Sequence, residues 1–356
     1  MGQESEKSNK SFSTIEERKE DHIRICLDNK VQSKDMSTGF KDILLVHKAL
    51  PEIDRDKIDL STYVFSHRFS APIIIESLSG GTKKSSRINS SIAQSIEELG
   101  LGMGVGSQRI ALENPKLEKT FSIARKKAPT AFIMANIGAP QIIKDKKCKK
   151  AKKVVEMIQA DALTIHLNAL QESIQPEGET NYTGLLEKIK EIAGSIDVPL
   201  VIKETGAGIS AEDAYGLADA GVSAIDVGGA GGTSWAAVEY FRAREHDKIG
   251  GQNLGETFWD WGIPTAVSLI EVLQLTKLPV ISSGGIRSGT DIAKSLTLGA
   301  NLSGFASPAL YYAIKGHKYL KDYLSWFAYL LAVSLLLISG VNSYSSDLIL
   351  QLLLKH

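Results

Sequence analysis

Short apolar runs rich in Val, Ile and Ala alternate with longer stretches of helical spacing along most of the chain. The runs fall at 72–75, 101–105, 131–136, 162–168, 200–203, 224–227, 279–282 and 301–305. Between most of them lie sets such as Ile88/Ile92/Ile96/Leu99 and Leu185/Ile189/Ile192, whose spacing puts the apolar side chains on one helix face. Near-continuous apolar runs separated by helices mark parallel strands covered on both faces. Eight such units over about 240 residues match a (β/α)8 TIM barrel. An open doubly wound sheet shares the alternation but usually carries a Gly-x-Gly-x-x-Gly turn after its first strand, which is missing here. The predicted architecture is therefore α/β: a barrel over 71–320, an N-terminal arm and lid segment over 1–70, and an apolar helical extension over 321–356.

The two ends read differently. Residues 1–22 are polar and dense in Glu, Lys and Ser, with no signal-peptide core, and read as a flexible arm. Residues 23–70 should form a lid or a base for the barrel. At the other end, 323–341 is nineteen residues without a charge, long enough to span a bilayer. Ser325, Ser334, Ser339 and Gly340 interrupt it and no basic cluster follows. A buried helix or a subunit contact is the preferred reading over a membrane anchor. A homo-oligomer, tetramer or octamer, is expected.

Composition narrows the classes. Lys plus Arg and Asp plus Glu each number 41, so the 356-residue chain has no global field for nucleic acid. The segment 144–153 holds seven lysines but no interleaved aromatics, and reads as a solvated helix start, not a nucleic-acid patch. Cys26 and Cys148 are too few for a disulfide framework or a thiolate metal site, which fits a reducing cytoplasm. An apolar fraction of 43% is too high for a disordered chain.

In a TIM barrel the chemistry sits at the C-terminal strand ends, and here the runs end in polar or Gly-rich clusters. The seventh ends in Gly284-Gly285-Ile286-Arg287 and the eighth in Ala306-Ser307. Backbone N–H groups and a helix N-terminus at those positions suit a phosphate. On the fourth run Thr164, His166 and Asn168 share one face, with Gln171 and Glu172 just beyond. Glu172 with substrate oxygens could hold Mg²⁺, which prefers shared phosphate ligands. Lys203, ending the fifth run, could meet an anion or an electron-rich ring, or could pair with Glu204 or Asp226. Arg18, Lys19 and His22, with the Ser107-Gln108-Arg109 loop, could clamp a second, larger anion.

At these residues the chain resembles the type 2 isopentenyl diphosphate isomerases, FMN-dependent barrels. The resemblance runs from Arg18 to about Ser307 and takes in Arg-Lys-x-Asp-His, Gly-Ser-Gln-Arg, Ala-Asn-Ile-Gly, His-x-Asn-x-x-Gln-Glu, Val-Ile-Lys-Glu, Gly-Ala-Gly-Gly-Thr-Ser-Trp and Ser-Gly-Gly-Ile-Arg in that order. It implies FMN against Ser77, Leu78, Ser79, Ser107, Asn136, Lys203 and Thr233, with its phosphate on Gly284, Gly285, Arg287, Ala306 and Ser307. It implies a substrate diphosphate against Arg18, Lys19, His22, Ser107, Gln108, Arg109, Asn168 and Gln171, with Mg²⁺ on Glu172. Leu78-Ser79 stands where the family usually has Met-Thr, which keeps the hydroxyl. The stretch after residue 320 is more apolar than the family would suggest.

Moving the double bond of isopentenyl diphosphate requires protonating an unactivated alkene, and no carboxylic-acid pair in the sequence looks placed for that. The resemblance implies that reduced FMN is the acid and base, with NADPH as its reductant, while Gln171, Glu239, His166 and Trp235 assist or shape the pocket. A hydroxy-acid oxidase would need a His-Arg pair where the sixth run leads into Gly228–Trp235, and a purine-nucleotide dehydrogenase would need a Cys there. A non-catalytic barrel tethered to a membrane by its tail is the remaining alternative.

Overall fold

The computed structural model describes residues 15–338. Eight parallel strands close into a barrel: β3 (Ile73–Ile75), β4 (Gly102–Gly104), β5 (Phe132–Gly138), β6 (Ala162–His166), β7 (Leu200–Lys203), β8 (Ala224–Asp226), β9 (Val280–Ser283) and β10 (Leu302–Phe305), with β10 pairing back onto β3. Each falls within or beside a run read from the sequence. Alternation along the strands divides the two faces. Ile73, Ile75, Ile133, Leu163, Ile165 and Ile202 point out to the helices, while Ile74, Phe132, Met134, Val201, Ile281 and Leu302 pack inside.

A hairpin, β1 (Thr62–Val64) with β2 (His67–Phe69), closes the lower end. Its two turn residues, Phe65 and Ser66, both have positive φ, 53° and 60°. That turn normally uses Asn-Gly. Here packing holds it instead, since Phe65 stacks on Phe132 at 6.0 Å and Phe69 lies 5.3 Å from the same ring.

The arm is not flexible over its described part. Ile15–Asp28 is a helix that buries Ile23 and Ile25 and lies over the barrel mouth. Polar residues dominate its composition, but Arg18, Lys19, His22 and Arg24 reach partners on the barrel, while Glu16, Glu20 and Asp28 are exposed. The arm helix lies above the barrel and the hairpin below it.

The C-terminal helix, His317–Ile338, packs on Lys83–Leu99 and Gly289–Leu298. Gly289 allows the approach, because a Cβ there would stand 2.5 Å from the Leu331 amide nitrogen. Phe327 packs against Phe305 at 4.7 Å, which ties this helix to the end of β10. Among the described residues it is the one helix long and apolar enough to cross a membrane. Its buried side chains include Leu320, Leu324, Phe327 and Leu331, while Trp326 and Tyr329 are exposed. The remainder of the apolar tail lies outside the described residues. The lysine-rich segment starts an exterior helix, Lys149–Ile158, with Cys148, Ala151 and Val154 turned inward and its lysines exposed.

Candidate active site

A cavity of about 260 Å³ opens at the C-terminal strand ends, beneath the arm helix. One end is built by turns. Gly284 and Gly285 have φ of 103° and 73°, values at which any other residue is strained. Arg287 donates to Gln32 Oε1 at 2.6 Å, and Gln32 in turn donates to Thr233 Oγ1 at 3.4 Å. Ala306 and Ser307 open the helix Ser307–Lys315 on the same wall. Along the side run Ser77, Leu78 and Ser79, and the Ser77 hydroxyl is buried without a partner. An open phosphate turn beside an orphaned hydroxyl fits bound FMN.

Lys203 sits at the centre of the floor. It donates to Asp226 Oδ2 at 2.8 Å and Ser283 Oγ at 3.2 Å, and its Nζ stands 2.9 Å from Glu76 Oε2. Burial pulls its pKa down, but Asp226 and Glu76 outweigh that and hold it above the usual lysine range. Of the two sequence-based partners only Asp226 is used. Glu204 turns away and accepts N–H bonds from Gly206 and Ala207 at 2.9 and 2.7 Å.

On the opposite wall Asn136 donates to Val105 O, which leaves its Oδ1 facing His166 Nδ1 at 2.7 Å. An amide oxygen only accepts, so Nδ1 carries the proton and Nε2 keeps its lone pair. Burial, then Lys203 and Lys19, lower the His166 pKa to about 4, so the ring is neutral. Asn168, at φ 61°, accepts from Thr205 Oγ1 at 2.9 Å.

The other end is cationic. Arg18, Lys19 and His22 project from the arm helix, and Ser107 and Arg109 from the loop after β4. Lys19 Nζ donates to the Ser107 carbonyl at 2.8 Å, and burial followed by Arg18 lowers its pKa to about 7. Arg109 pairs with Glu113 and Glu179 at the rim. Glu172 also lines this end. Its Oε2 accepts the Glu179 N–H at 2.8 Å, and burial raises its pKa. No group of three or more His, Cys, Asp or Glu gathers as a metal cage among the described residues. Glu172 alone fits Mg²⁺ only if a ligand supplies further oxygens.

Two expected site residues stand off the cavity. Glu239 is buried behind it, accepting from Gln171 Nε2 at 3.0 Å, His22 Nε2 at 2.9 Å and Arg242 Nε at 2.7 Å. Burial would raise its pKa, but His22, Arg242 and Gln171 together hold it at about 2. Trp235 reaches the cavity with its indole edge-on to His22 at 5.2 Å, and Ser234 caps its helix. Gln108 is a correction. Its amide donates to Val154 O and Met157 Sδ and accepts from Asn136 N, so it braces β5 and leaves nothing for a diphosphate. Ser107 and Arg109 face the cavity, and the residue between them points the other way.

The sequence reading missed Glu76, Gln141, Gln175 and Thr205, which also line the cavity. Strand parity could have found Glu76, since it shares the inward face with Ile74.

A profile of the FMN-dependent dehydrogenase family matches residues 116–345. The isopentenyl-diphosphate delta-isomerase of Methanosarcina barkeri is 51% identical over 305 residues, covering 86% of this chain and 83% of that protein. That of Archaeoglobus fulgidus is 47% identical over 310 residues, covering 87% and 88%. Among solved structures, lactate oxidase of Pediococcus acidilactici superposes with a TM-score of 0.65 at 16% identity, covering 94% of this chain and 93% of that one. A mandelate oxidase superposes with a TM-score of 0.60 at 17% identity, covering 93% and 96%. The likeness to the two oxidases shows the fold alone, whereas the identity to the archaeal enzymes covers most of the chain. The chain belongs to the isopentenyl-diphosphate delta-isomerases of the FMN-dependent dehydrogenase family.

Proposed function

We propose that the mouth converts isopentenyl diphosphate to dimethylallyl diphosphate, with FMN along the floor and the substrate diphosphate between the arm helix and the loop after β4. The observation that carries this reading is the division of one cavity into two anion-binding ends, Gly284-Gly285 with Arg287 at one and Arg18, Lys19 and Arg109 at the other. Between them lies a neutral wall of His166, Asn136 and Gln171. Ser77, Leu78, Ser79, Ser107, Asn136, Lys203 and Thr233 are the proposed contacts of the flavin, and Gly284, Gly285, Arg287, Ala306 and Ser307 those of its phosphate.

The isomerisation adds a proton at one end of the alkene and removes one from the carbon on the other side, with no net redox change. The side chains here are too weak as acids to protonate an alkene, including Lys19 and Glu76, whose pKa values lie at about 7. Glu239 is ionised at neutral pH, His166 has no proton on the nitrogen left free by Asn136, and Lys203 is committed to carboxylates. When bound and reduced, FMN supplies the acid, the base and an electron-rich ring beside the cation. The chain's own residues position and exclude. Lys19, Arg18 and Arg109 hold the diphosphate, and Glu172 shares Mg²⁺ with it. Glu239 orients Gln171 and His22, and Trp235 keeps water from the hydrocarbon end. NADPH is the proposed reductant. Two free cysteines suit a reducing cytoplasm, and the exposed Trp326 and Tyr329 suit a homo-oligomeric contact.

The test is an anaerobic conversion assay with the flavin first oxidised, then reduced by dithionite or NADPH. Activity is expected only after reduction, with many turnovers per reduction, and oxygen should stop it. Full activity with oxidised flavin would overturn the reading. So would lactate or mandelate oxidation with oxygen uptake, the outcome for a hydroxy-acid oxidase. The loop Gly228–Trp235 offers that chemistry no His-Arg pair.

A further inference from the structure

The cluster around Lys203 has one carboxylate more than it has cations. Asp226 is fully engaged, accepting from Lys203 through Oδ2 and from the Ser283 hydroxyl through Oδ1 at 2.5 Å. Glu76 is not. Its Oε2 is ion-paired with Lys203 Nζ at 2.9 Å, a cation already shared with Asp226, and its buried oxygens otherwise lack a hydrogen-bond partner. Its carboxylate lies against Gly304 of β10, where a Cβ would stand 2.0 Å from Oε1, so the neighbouring strand leaves space for it. It also lines the cavity floor.

The groups facing Glu76 are Lys203 from β7, Asp226 and Ser283 from β8 and β9, and the backbone of Gly304 from β10. Across the mouth, His166 is neutral. With Glu76 ionised the cluster carries one net negative charge, and with Glu76 protonated it carries none. Burial, with Asp226 next, already raises the Glu76 pKa to about 7. A buried carboxylate that must share its one cation with Asp226, beside a ligand that gains negative charge, is costly unless a proton arrives with it.

We propose that Glu76 is a proton-uptake site coupled to flavin reduction, neutralising the Lys203 cluster when the anionic reduced ring lies on it. This rests on FMN occupying the floor as described above. The step balances: oxidised FMN takes two electrons from dithionite and one proton to give its reduced anion, and the Glu76 carboxylate takes one further proton to become the acid. The second proton belongs to the protein. The effect reads on a potential and a proton count, not on turnover.

The experiment is anaerobic reduction of the holoenzyme by dithionite between pH 7.5 and 9, where reduced flavin in water is an anion. The midpoint potential is followed against pH for wild type and Glu76→Gln, and proton uptake is measured with an indicator dye in weakly buffered wild type after subtracting the protons that dithionite releases on oxidation to sulfite, calibrated by reducing free FMN, which takes up one proton, in the same way. Wild type should take up two protons per two electrons, and Glu76→Gln one. The preference of wild type for reduced over oxidised FMN should therefore change tenfold more per pH unit than that of the variant. Equal slopes, or one proton in the wild-type dye measurement, overturn the proposal while leaving FMN binding intact. Because the dye measurement uses wild type alone, a variant that fails to fold does not remove the test. Protein that stays colourless with excess FMN overturns both this proposal and the reading beneath it.

Discussion

At the lower end of the barrel, Val64, Phe69, Ile74, Phe132, Ile281 and Leu302 fill the interior with carbon, and the hairpin seals it from below. Two residues further along three of the same strands stand Glu76, Asn136 beyond Met134, and Ser283, joined by Lys203 and Asp226 from their neighbours. The lower layer stabilises chiefly through burial of apolar side chains packed on one another. The upper layer buries charges that are tolerable only as a set, with Glu76 and Asp226 sharing Lys203, and it retains a Ser77 hydroxyl without a hydrogen-bond partner. A fold selected for stability alone would fill both ends as it fills the lower one. The expense of the upper layer marks it as the place where ligands complete the structure.

That contrast can be broken from either side. The largest effect is expected at the phosphate turn. Gly285→Leu forces a side chain into a positive-φ position where a Cβ would meet Thr38 Cγ2 at 2.4 Å and Gly231 O at 2.9 Å. FMN affinity, followed by quenching of flavin fluorescence, should fall more than ~100-fold, since the backbone can no longer approach a phosphate. At the lower end the outcome should be the reverse. Phe132→Ala removes a ring buried among Phe65, His67 and Phe69 and should cost about 3–5 kcal/mol in denaturant unfolding. FMN affinity in the folded fraction should stay near wild type. A loss of flavin as large as that of Gly285→Leu would mean the two ends are not separable.

Glu172→Gln should act more narrowly. Activity should fall about 10–100-fold through weakened Mg²⁺ binding, with flavin affinity unchanged. Titrating activity against Mg²⁺ checks it, and equal loss of flavin would show a structural role.

A smaller effect should come with pH. His166 is neutral in the fold at pH values where an unfolded histidine is protonated, because its pKa is lowered to about 4. The unfolded chain then binds more protons between that value and the unperturbed one near 6.5, so stability is full above ~6.5 and declines as pH falls. Unfolding midpoints of His166→Gln should decline less over that window than those of wild type. The smallest effect belongs to the lysine-rich exterior. Lys152→Glu, on an exposed helix face, should leave activity, flavin affinity and stability within experimental error, whereas a marked loss would show that face to be functional.

Much of the lower contrast was legible in the alternation of residues. Ile73, Ile74 and Ile75 read as a strand whatever their partners, and the inward parity of Thr164 and His166 followed from period two. The hairpin was not legible, because Phe65-Ser66 carries no turn signal and its conformation is held by a ring more than sixty positions away. The arm helix was read as flexible for a similar reason. Its order comes from partners such as Glu239 and Glu177, far along the chain. In the mouth, Ser107, Lys203 and Arg287 stood out as residue types at strand ends. Gln108 was misplaced because adjacent residues in a loop motif were read as one unit, although their side chains diverge. Glu76 carries no signal of its own, because its partner Lys203 lies far along the chain and comes beside it only when the barrel closes.

Isotope labelling tests the chemistry assigned to the mouth most directly. Isopentenyl diphosphate is converted anaerobically in D₂O by enzyme reduced once with dithionite, and the product is examined by mass spectrometry and NMR while the flavin absorbance is recorded. Dimethylallyl diphosphate should carry solvent deuterium in a methyl group, with the flavin still reduced after many turnovers. Product lacking solvent deuterium, or one flavin oxidised for each product formed, would contradict proton exchange at this site and assign the barrel to redox chemistry instead.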